Sequence, residues 1–180
     1  MELHELTDFQ VVERIQSGDD SAFDELMRRY KRPVVNFVYR MLGDAGDADD
    51  VAQEVFVRVF RHIGEYQPRT KFSTWLFALA RNAALDRLRW HKRHPTEPLE
   101  SVPEPTTTPR EIQTREVDEH IAAAVSRLPE DQRTAIVLAE YHGMSYAEIG
   151  AIMHCSEKSV ESRLYRAKQT LRERLRFLLE

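Results

Sequence analysis

The chain of 180 residues is short of several residue types and patterns, and each shortage excludes a class of protein. A single cysteine, Cys155, excludes an internal disulfide and suits a reducing compartment. The longest uninterrupted apolar run is Trp75 to Ala80, far below the roughly 18 residues needed to span a membrane. The acidic start, Met1 to Asp8, lacks the basic and then apolar layout of a signal peptide. We therefore expect a cytoplasmic protein without membrane insertion.

Signs of catalytic chemistry are equally scarce. There is no glycine-rich phosphate loop, and His91 and His94 have no cysteine or carboxylate cluster around them to complete a metal site. Asp49, Asp50 and Glu54 could be nuclease carboxylates, but they lack a second acidic cluster and a placed general base. We expect no enzymatic activity, no bound metal and no cofactor.

Composition favours helices. Only six glycines are present, Ala, Leu, Glu and Arg are abundant, and no strand pattern stands out. Residues 94–109 contain five prolines without apolar periodicity, which predicts an extended acidic linker. The sequence therefore predicts an all-α protein of two small helical domains joined by a flexible linker.

Net charge is −4, but it is unevenly distributed. Residues 67–95 hold seven Lys and Arg against one acid, and residues 156–180 hold seven against four. The rest of the chain is acidic. Such a protein should bind a polyanion through two separated basic patches, and only weakly as a whole.

The clearest motif is a helix-turn-helix between Met144 and Lys168. Ser145 and Glu148 form a capping box for a short helix, and Ser156 can cap a second, longer helix. The second helix has an apolar side and an opposite side rich in cations and hydroxyls, which is typical of a DNA-reading helix. The apolar side is Val160, Leu164, Ala167 and Leu171, and the opposite side is Lys158, Ser159, Ser162, Arg163, Arg166 and Lys168. A helical hairpin with a solvated charged face remains the alternative for this segment alone.

A helix predicted over about 47–62 carries a complete apolar stripe that runs from Ala48 through Phe60 to Ile63. Its outward side begins with acids and includes an exposed valine; the members are Asp49, Asp50, Gln53, Glu54 and Val57. Acids at a helix N-terminus often only offset the helix dipole. That explanation does not account for Gln53, Glu54 and an exposed Val57, so a protein-binding face is the competing interpretation.

A loop and a basic helix follow. The loop, residues 65–71, offers an aromatic ring and two cations, and the helix predicted over about 72–91 places cations and an amide off its apolar stripe. Aromatic rings and cations together are suited to holding a single nucleic-acid strand by stacking and phosphate contact. The candidates are Tyr66, Arg69, Lys71, Arg81, Asn82 and Arg89.

These motifs together resemble the extracytoplasmic-function (ECF) group of bacterial sigma-70 factors. GDAGDADDVAQEVFVRVF (43–60) resembles region 2.2, KFSTWLFALARNAALDRLR (71–89) resembles regions 2.3 and 2.4, and LPEDQR (128–133) through Lys168 is similar to region 4. The resemblance implies a region 2 domain over 1–94, a linker over 95–110 and a region 4 domain over 111–180.

The resemblance also implies roles for the candidate residues. Asp49, Gln53, Glu54 and Val57 would hold the clamp coiled coil of core RNA polymerase, and the polymerase flap is a further expected contact. Tyr66 to Lys71, together with Arg81, Asn82 and Arg89, would capture a flipped base and the backbone of the −10 strand. The cationic side of the last helix would read the −35 duplex, although Glu161 stands where many members have Lys or Arg.

The implied function is a non-enzymatic sigma factor that directs polymerase to promoters, with an anti-sigma factor as a further expected partner. A stand-alone helix-turn-helix regulator is the alternative, and it would bind a palindromic duplex as a dimer without polymerase. A sigma mimic that only binds an anti-sigma factor is a second alternative, but it would not need Tyr66, Asn82 and two basic patches.

Overall fold

The structure is a computed structural model that describes residues 3–95 and 109–178. These residues form helices connected by short turns, and no strand occurs among them. The predicted all-α fold is therefore confirmed. The predicted linker, 95–110, lies almost entirely outside the described residues.

The first half of the chain is a four-helix unit. Its helices are α1 (Asp8–Gln16), α2 (Asp20–Leu42), α3 (Ala45–His62) and α4 (Phe72–Arg93). Thr7 and Gln10 form a capping box before α1, and Gly43 ends α2 with a φ of 81°. Glycine reaches that left-handed conformation without the steric cost that a side chain would add.

The second half also consists of helices. They are α5 (Pro109–Ser126), α6 (Glu130–His142), α7 (Tyr146–Met153) and α8 (Glu157–Arg174). The predicted capping box is present, since Ser145 Oγ accepts from the Glu148 amide and the Ser145 amide donates to Glu148 Oε2 at 2.8 Å. Ser156 caps α8 as predicted, and Val160, Leu164 and Ala167 face the core.

The apolar stripe of α3 is buried as predicted from Ala48 to Val59, but the assignment of Phe60 to it was wrong. Phe60 is 61% exposed and touches Phe23 edge-on, with ring centroids 5.2 Å apart. The reason is its position at the open end of the α2–α3 hairpin. There α2 has only just begun, so no further helical turn is available to cover the ring.

The two halves share one hydrophobic core, because α6 packs against α2 and α7 packs against α4. Phe77 on α4 shows this most directly. It is buried between Phe37 of α2 and His142 of α6, at ring-centroid distances of 5.5 Å and 4.7 Å. The surface that covers Phe77 belongs partly to the other half of the chain, so the apolar period of α4 alone does not account for its burial.

Candidate nucleic-acid interface

The outer face of α3 has the predicted composition and exposure. Asp49, Gln53, Glu54 and Val57 are all exposed, and the Val57 side chain is 48% exposed despite being apolar. An open groove of about 520 Å³ between α3 and α4 is lined by Gln53, Glu54 and Val57, and Gln53 also lines a groove of about 270 Å³ between α3 and α2. The face is therefore an acidic ridge with a recess on each side.

The loop before α4 forms an aromatic cluster around Tyr66. The Tyr66 ring packs against Trp75 and Phe72 at centroid distances of 5.1 Å and 5.8 Å, and its hydroxyl donates to the carbonyl of Thr70 at 2.7 Å. Burial raises the pKa of Tyr66 above its ordinary value. Trp75 is only half-buried, so the cluster presents aromatic surface at the base of a loop on which Arg69 and Lys71 are exposed.

The predicted residues on α4 are in different surroundings. Asn82 is exposed, and Arg89 is exposed and paired with Asp86 one turn away at 2.7 Å. The Arg81 side chain is only 13% exposed, and its Nη2 lies 3.4 Å from Asp131 Oδ1 on α6. Arg81 is therefore covered by the second half of the chain, whereas Asn82 and Arg89 are accessible.

The helix-turn-helix is held together by a close approach of backbones. Cys155 donates its amide to the carbonyl of Gly150 at 2.9 Å, and His154 turns the chain with a φ of 53°. A β-carbon added to Gly150 would lie 2.7 Å from the Cys155 carbonyl oxygen. Glycine at 150 thus allows α7 to pack directly under the turn that leads into α8.

The outer side of α8 carries the predicted cations and hydroxyls. Lys158, Ser162 and Arg166 are exposed and available to a ligand. Arg163 donates to the hydroxyl of Ser159 and also lies 3.3 Å from Asp131, while Lys168 pairs with Glu140 at 2.7 Å. The helix thus presents a polar, basic face, but some of its cations are already paired within the chain.

Comparison with known proteins identifies the family. The sequence model for sigma-70 region 2 matches residues 26–94, and that for sigma-70 region 4 matches residues 119–171. The chain is 33% identical to the RNA polymerase sigma-H factor of Pseudomonas aeruginosa, with 96% of this chain and 95% of that protein covered. The chain belongs to the ECF group of sigma-70 factors.

Two further matches agree. The ECF RNA polymerase sigma-E factor of Escherichia coli strain K12 is 34% identical over 97% of each chain. The solved structure of CnrH in complex with the cytosolic domain of CnrY has a TM-score of 0.73 at 26% identity, covering 93% of this chain and 96% of CnrH. In this sigma factor, no helix of the described residues is long and apolar enough to cross a membrane.

Sequence reasoning missed a polar network that supports the acidic ridge of this sigma factor. Arg87 on α4 pairs with Asp47 on α3 and lies 3.3 Å from Glu54, and His91 pairs with the other oxygen of Asp47. The sequence did contain a pattern that could have indicated this network. Asp47 and Glu54 are two helical turns apart, and Arg87 and His91 are one turn apart. Only the packing of α3 on α4 reveals that these pairs meet.

Tyr165 was also missed. It lies on α8 between the predicted DNA-reading residues, is 64% exposed, and its hydroxyl accepts from Gln169 at 2.8 Å. The sequence prediction for this helix was based on cations and hydroxyls and did not include the aromatic ring. An exposed tyrosine on a basic helix adds apolar contact area and a hydroxyl to the same surface.

Proposed function

We propose that this sigma factor binds core RNA polymerase through the acidic ridge of α3 and then reads two promoter elements with its two domains. The ridge combines carboxylates, an amide and an exposed valine, flanked by a groove on each side. That mixture suits a basic partner helix with apolar contacts better than it suits solvent. Asp49, Gln53, Glu54 and Val57 would make these contacts, and Arg87 would orient Glu54.

We assign residues 1–94 to −10 recognition and melting, 95–110 to the linker and 111–180 to −35 recognition. The Tyr66 cluster, with Arg69, Lys71, Arg81, Asn82 and Arg89, would hold the −10 single strand. Bases within a duplex cannot be read on their Watson–Crick edges, so stacking on aromatic rings fits a strand that is opened as it is read. The chain would contribute specificity and DNA opening, while the chemistry of RNA synthesis stays with polymerase.

The outer side of α8 would enter the major groove at the −35 element. Ser159, Ser162, Arg163 and Arg166 would reach base edges or nearby phosphates, and Lys158 and Lys168 would contact phosphates. The solved neighbour CnrH is in complex with the cytosolic domain of a second protein, CnrY. We therefore include an anti-sigma factor among its partners, with action in the cytoplasm and at the nucleoid when polymerase is bound.

The helix-turn-helix joined to an aromatic and basic single-strand site is the observation that carries this proposal. Run-off transcription with purified core polymerase, followed by genome-wide mapping of start sites, tests it directly. Transcripts that start from a defined set of promoters only when the chain is added support it. Tight binding of a palindromic duplex as a dimer, without stimulation of core polymerase, would instead favour a stand-alone regulator.

Replacing Arg163 with alanine should weaken transcription from a cognate promoter by about 1–3 kcal/mol, the worth of a good base contact. The measurement is run-off transcription from the cognate promoter and from versions changed at single −35 positions. Arg172→Ala changes an exposed arginine nine residues further along α8 and is the control with the same change in charge. Equal weakening across all −35 sequences would make Arg163 a phosphate contact and not a base contact.

A further inference from the structure

The C-terminal end of α4 carries an aromatic group that the proposed function does not use. Trp90 is 45% exposed, although it is a large aromatic residue. The ring of His94 is stacked on it at a centroid distance of 4.8 Å and an interplanar angle of 22°. The ring of His91 meets the Trp90 ring edge-on at 5.1 Å. We call Trp90 and His94 the terminal stack.

Contacts on both sides hold the terminal stack in place. His91 pairs with Asp47 on α3, which fixes the ring that meets Trp90 edge-on. The backbone amide of His94 donates to the carbonyl of Trp90 at 2.9 Å, and the His94 Nδ1 lies 3.0 Å from the same oxygen. The position of the stack is therefore set before a ligand arrives, which lowers the entropic cost of binding.

Two ordinary explanations account for only part of this arrangement. Cations near a helix C-terminus offset the helix dipole, which explains Lys92 and Arg93. A single exposed ring on a protein surface needs no special explanation. Neither explains why an open aromatic stack lies directly among cations. Arg93 is exposed, and no ion pair joins it to another residue in the part of the chain that the structure describes, so its charge is available beside the stack.

The terminal stack lies near the side of α4 that faces the proposed −10 strand. Trp75, Asn82 and Arg89 follow one another at intervals of seven residues, or about two helical turns, so they form one line along the helix. Trp90 directly follows Arg89 and lies about 60° round the helix from Trp75. A strand that leaves the Tyr66 cluster along this line therefore reaches the terminal stack.

The charges around the terminal stack favour nucleic acid over a protein partner. Residues 67–95 hold seven Lys and Arg against one acid, and that acid, Asp86, is already paired with Arg89 at 2.7 Å. A basic partner helix of the kind proposed for the acidic ridge would be repelled here, whereas a chain of phosphates is attracted. Aromatic rings among cations are the usual means of holding a single strand.

We propose that the terminal stack is a second site for a base of single-stranded DNA, and that Arg93 holds a phosphate beside that base. The inference rests on the proposed function, which places the same strand on the Tyr66 cluster, Asn82 and Arg89. Every base has a π-face, so stacking on Trp90 and His94 accepts any base. The terminal stack thus fixes the path of the opened strand, while the choice of base is made at the Tyr66 cluster.

The separation of the two aromatic groups sets the length of strand that can contact both. Trp75 and Trp90 are 15 residues apart, which is about 22 Å along an α-helix. Stacked nucleotides of one strand are spaced by about 3.4 Å. The two sites are therefore bridged by about six or seven nucleotides. A shorter oligonucleotide occupies one site at a time, whereas a longer one gains affinity from both.

The test measures binding of the full-length chain to labelled oligothymidylates of about 4 and about 12 nucleotides. Trp90→Ala should weaken binding of the longer probe about tenfold, the usual effect of losing one stacked base, and weaken the shorter probe at most about twofold. Phe9→Ala removes an exposed ring from α1 and is the matched control, with unchanged binding of both probes. Equal affinities of the Trp90→Ala and Phe9→Ala chains for the longer probe would overturn the proposal.

Two further substitutions separate stacking from simple apolar contact. Trp90→Phe keeps an aromatic face and should bind the longer probe within about threefold of the unmodified chain. Trp90→Leu keeps apolar area without a π-face and should be as weak as Trp90→Ala. Circular dichroism checks that all these chains keep the same thermal midpoint, as expected for a partly exposed position. Full binding by the Trp90→Leu chain would contradict a stacked base.

Tryptophan fluorescence reports on the terminal stack directly. Trp75 and Trp90 are the two tryptophans of the chain, so in a Trp75→Phe chain the emission comes from Trp90 alone. Saturation of that chain with the longer oligothymidylate should quench the emission, because a base stacked on the indole ring quenches it. Unchanged emission at saturation would overturn the proposal.

Other occupants of the terminal stack would give different results. If Trp90→Ala weakened binding to core polymerase and left oligothymidylate binding unchanged, the stack would be a polymerase contact and the proposal would be wrong. If Trp90→Ala instead abolished a dimer seen by analytical ultracentrifugation, again with unchanged oligothymidylate binding, a second copy of the chain would cover the stack. That result would also overturn the proposal.

Failure of this inference is distinguishable from failure of the proposed function. Oligothymidylate binding and fluorescence need no polymerase, whereas run-off transcription tests the sigma activity itself. If Trp90→Ala loses affinity for the longer probe but no chain supports initiation, the second strand site stands and the proposed function fails. If run-off transcription succeeds while the Trp90→Ala and Phe9→Ala chains bind alike, the proposed function stands and the second strand site fails.

Discussion

Replacing Asp49, Gln53 and Glu54 together with alanine is expected to lower the affinity for core polymerase by about 100-fold or more. Loss of a central cluster of interface contacts typically costs about 3 kcal/mol or more in binding free energy. All three side chains are exposed, and the only ion pair lost among the described residues is that between Glu54 and Arg87. The fold should therefore persist, with a thermal midpoint close to that of the unmodified chain.

Competition with a labelled sigma factor for core polymerase gives the affinity, and circular dichroism gives the midpoint. A chain with Glu13→Ala, Asp24→Ala and Gln169→Ala provides the control, since it loses two carboxylates and an amide at exposed positions away from α3. It should bind core polymerase as the unmodified chain does. If the α3 variant retained full affinity, the acidic ridge would not be the polymerase-binding face.

Gly150→Ala is expected to have the second large effect, a loss of about 3 kcal/mol in stability together with loss of −35 recognition. The new β-carbon would lie 2.7 Å from the Cys155 carbonyl oxygen, and neither atom belongs to a flexible side chain. Either α7 or the turn at 154–156 must move. Because that turn leads directly into α8, the reading helix would be displaced from its place on the core.

Denaturant unfolding of the full-length chain and run-off transcription from a cognate promoter measure the two effects. Ala151→Ser changes the next residue of the same helix at an exposed position and should leave both nearly unchanged. A stable Gly150→Ala protein with normal promoter selectivity would show that the turn adapts without moving α8. The contact of the acidic ridge with core polymerase should be retained, because the substitution lies in the other half of the chain and changes no residue of the ridge.

Features that depend only on neighbouring residues could be predicted directly from the sequence. Capping side chains act within one helical turn, so Ser145 and Ser156 lie at helix ends where their sequence context predicted them. The alternation of buried and exposed positions on α3 likewise follows from a period of 3.6 residues. These short-range rules identified the acidic ridge and the reading helix, and the family resemblance followed from their order.

These short-range rules failed to predict burial at positions whose neighbours come from distant segments of the chain. Phe60 obeys the apolar period of α3 but is exposed, because the neighbouring helix starts too late to cover it. Phe77 is buried by Phe37 of α2 and by His142 of α6, two segments distant from it in sequence. The apolar period predicts which side of a single helix faces inward, whereas burial depends on every segment that packs against that helix.

By itself, the sequence determined the all-α class, the helix ends, the helix-turn-helix and the family, because each depends on neighbouring residues or on an ordered series of motifs. Only the tertiary structure decided which charges meet. Arg81 and Asp131 are 50 residues apart, and Asp131 and Arg163 are 32 apart, yet one carboxylate lies between both arginines. Electrostatic pairing depends on distance in space, which folding sets and which spacing along the chain does not encode.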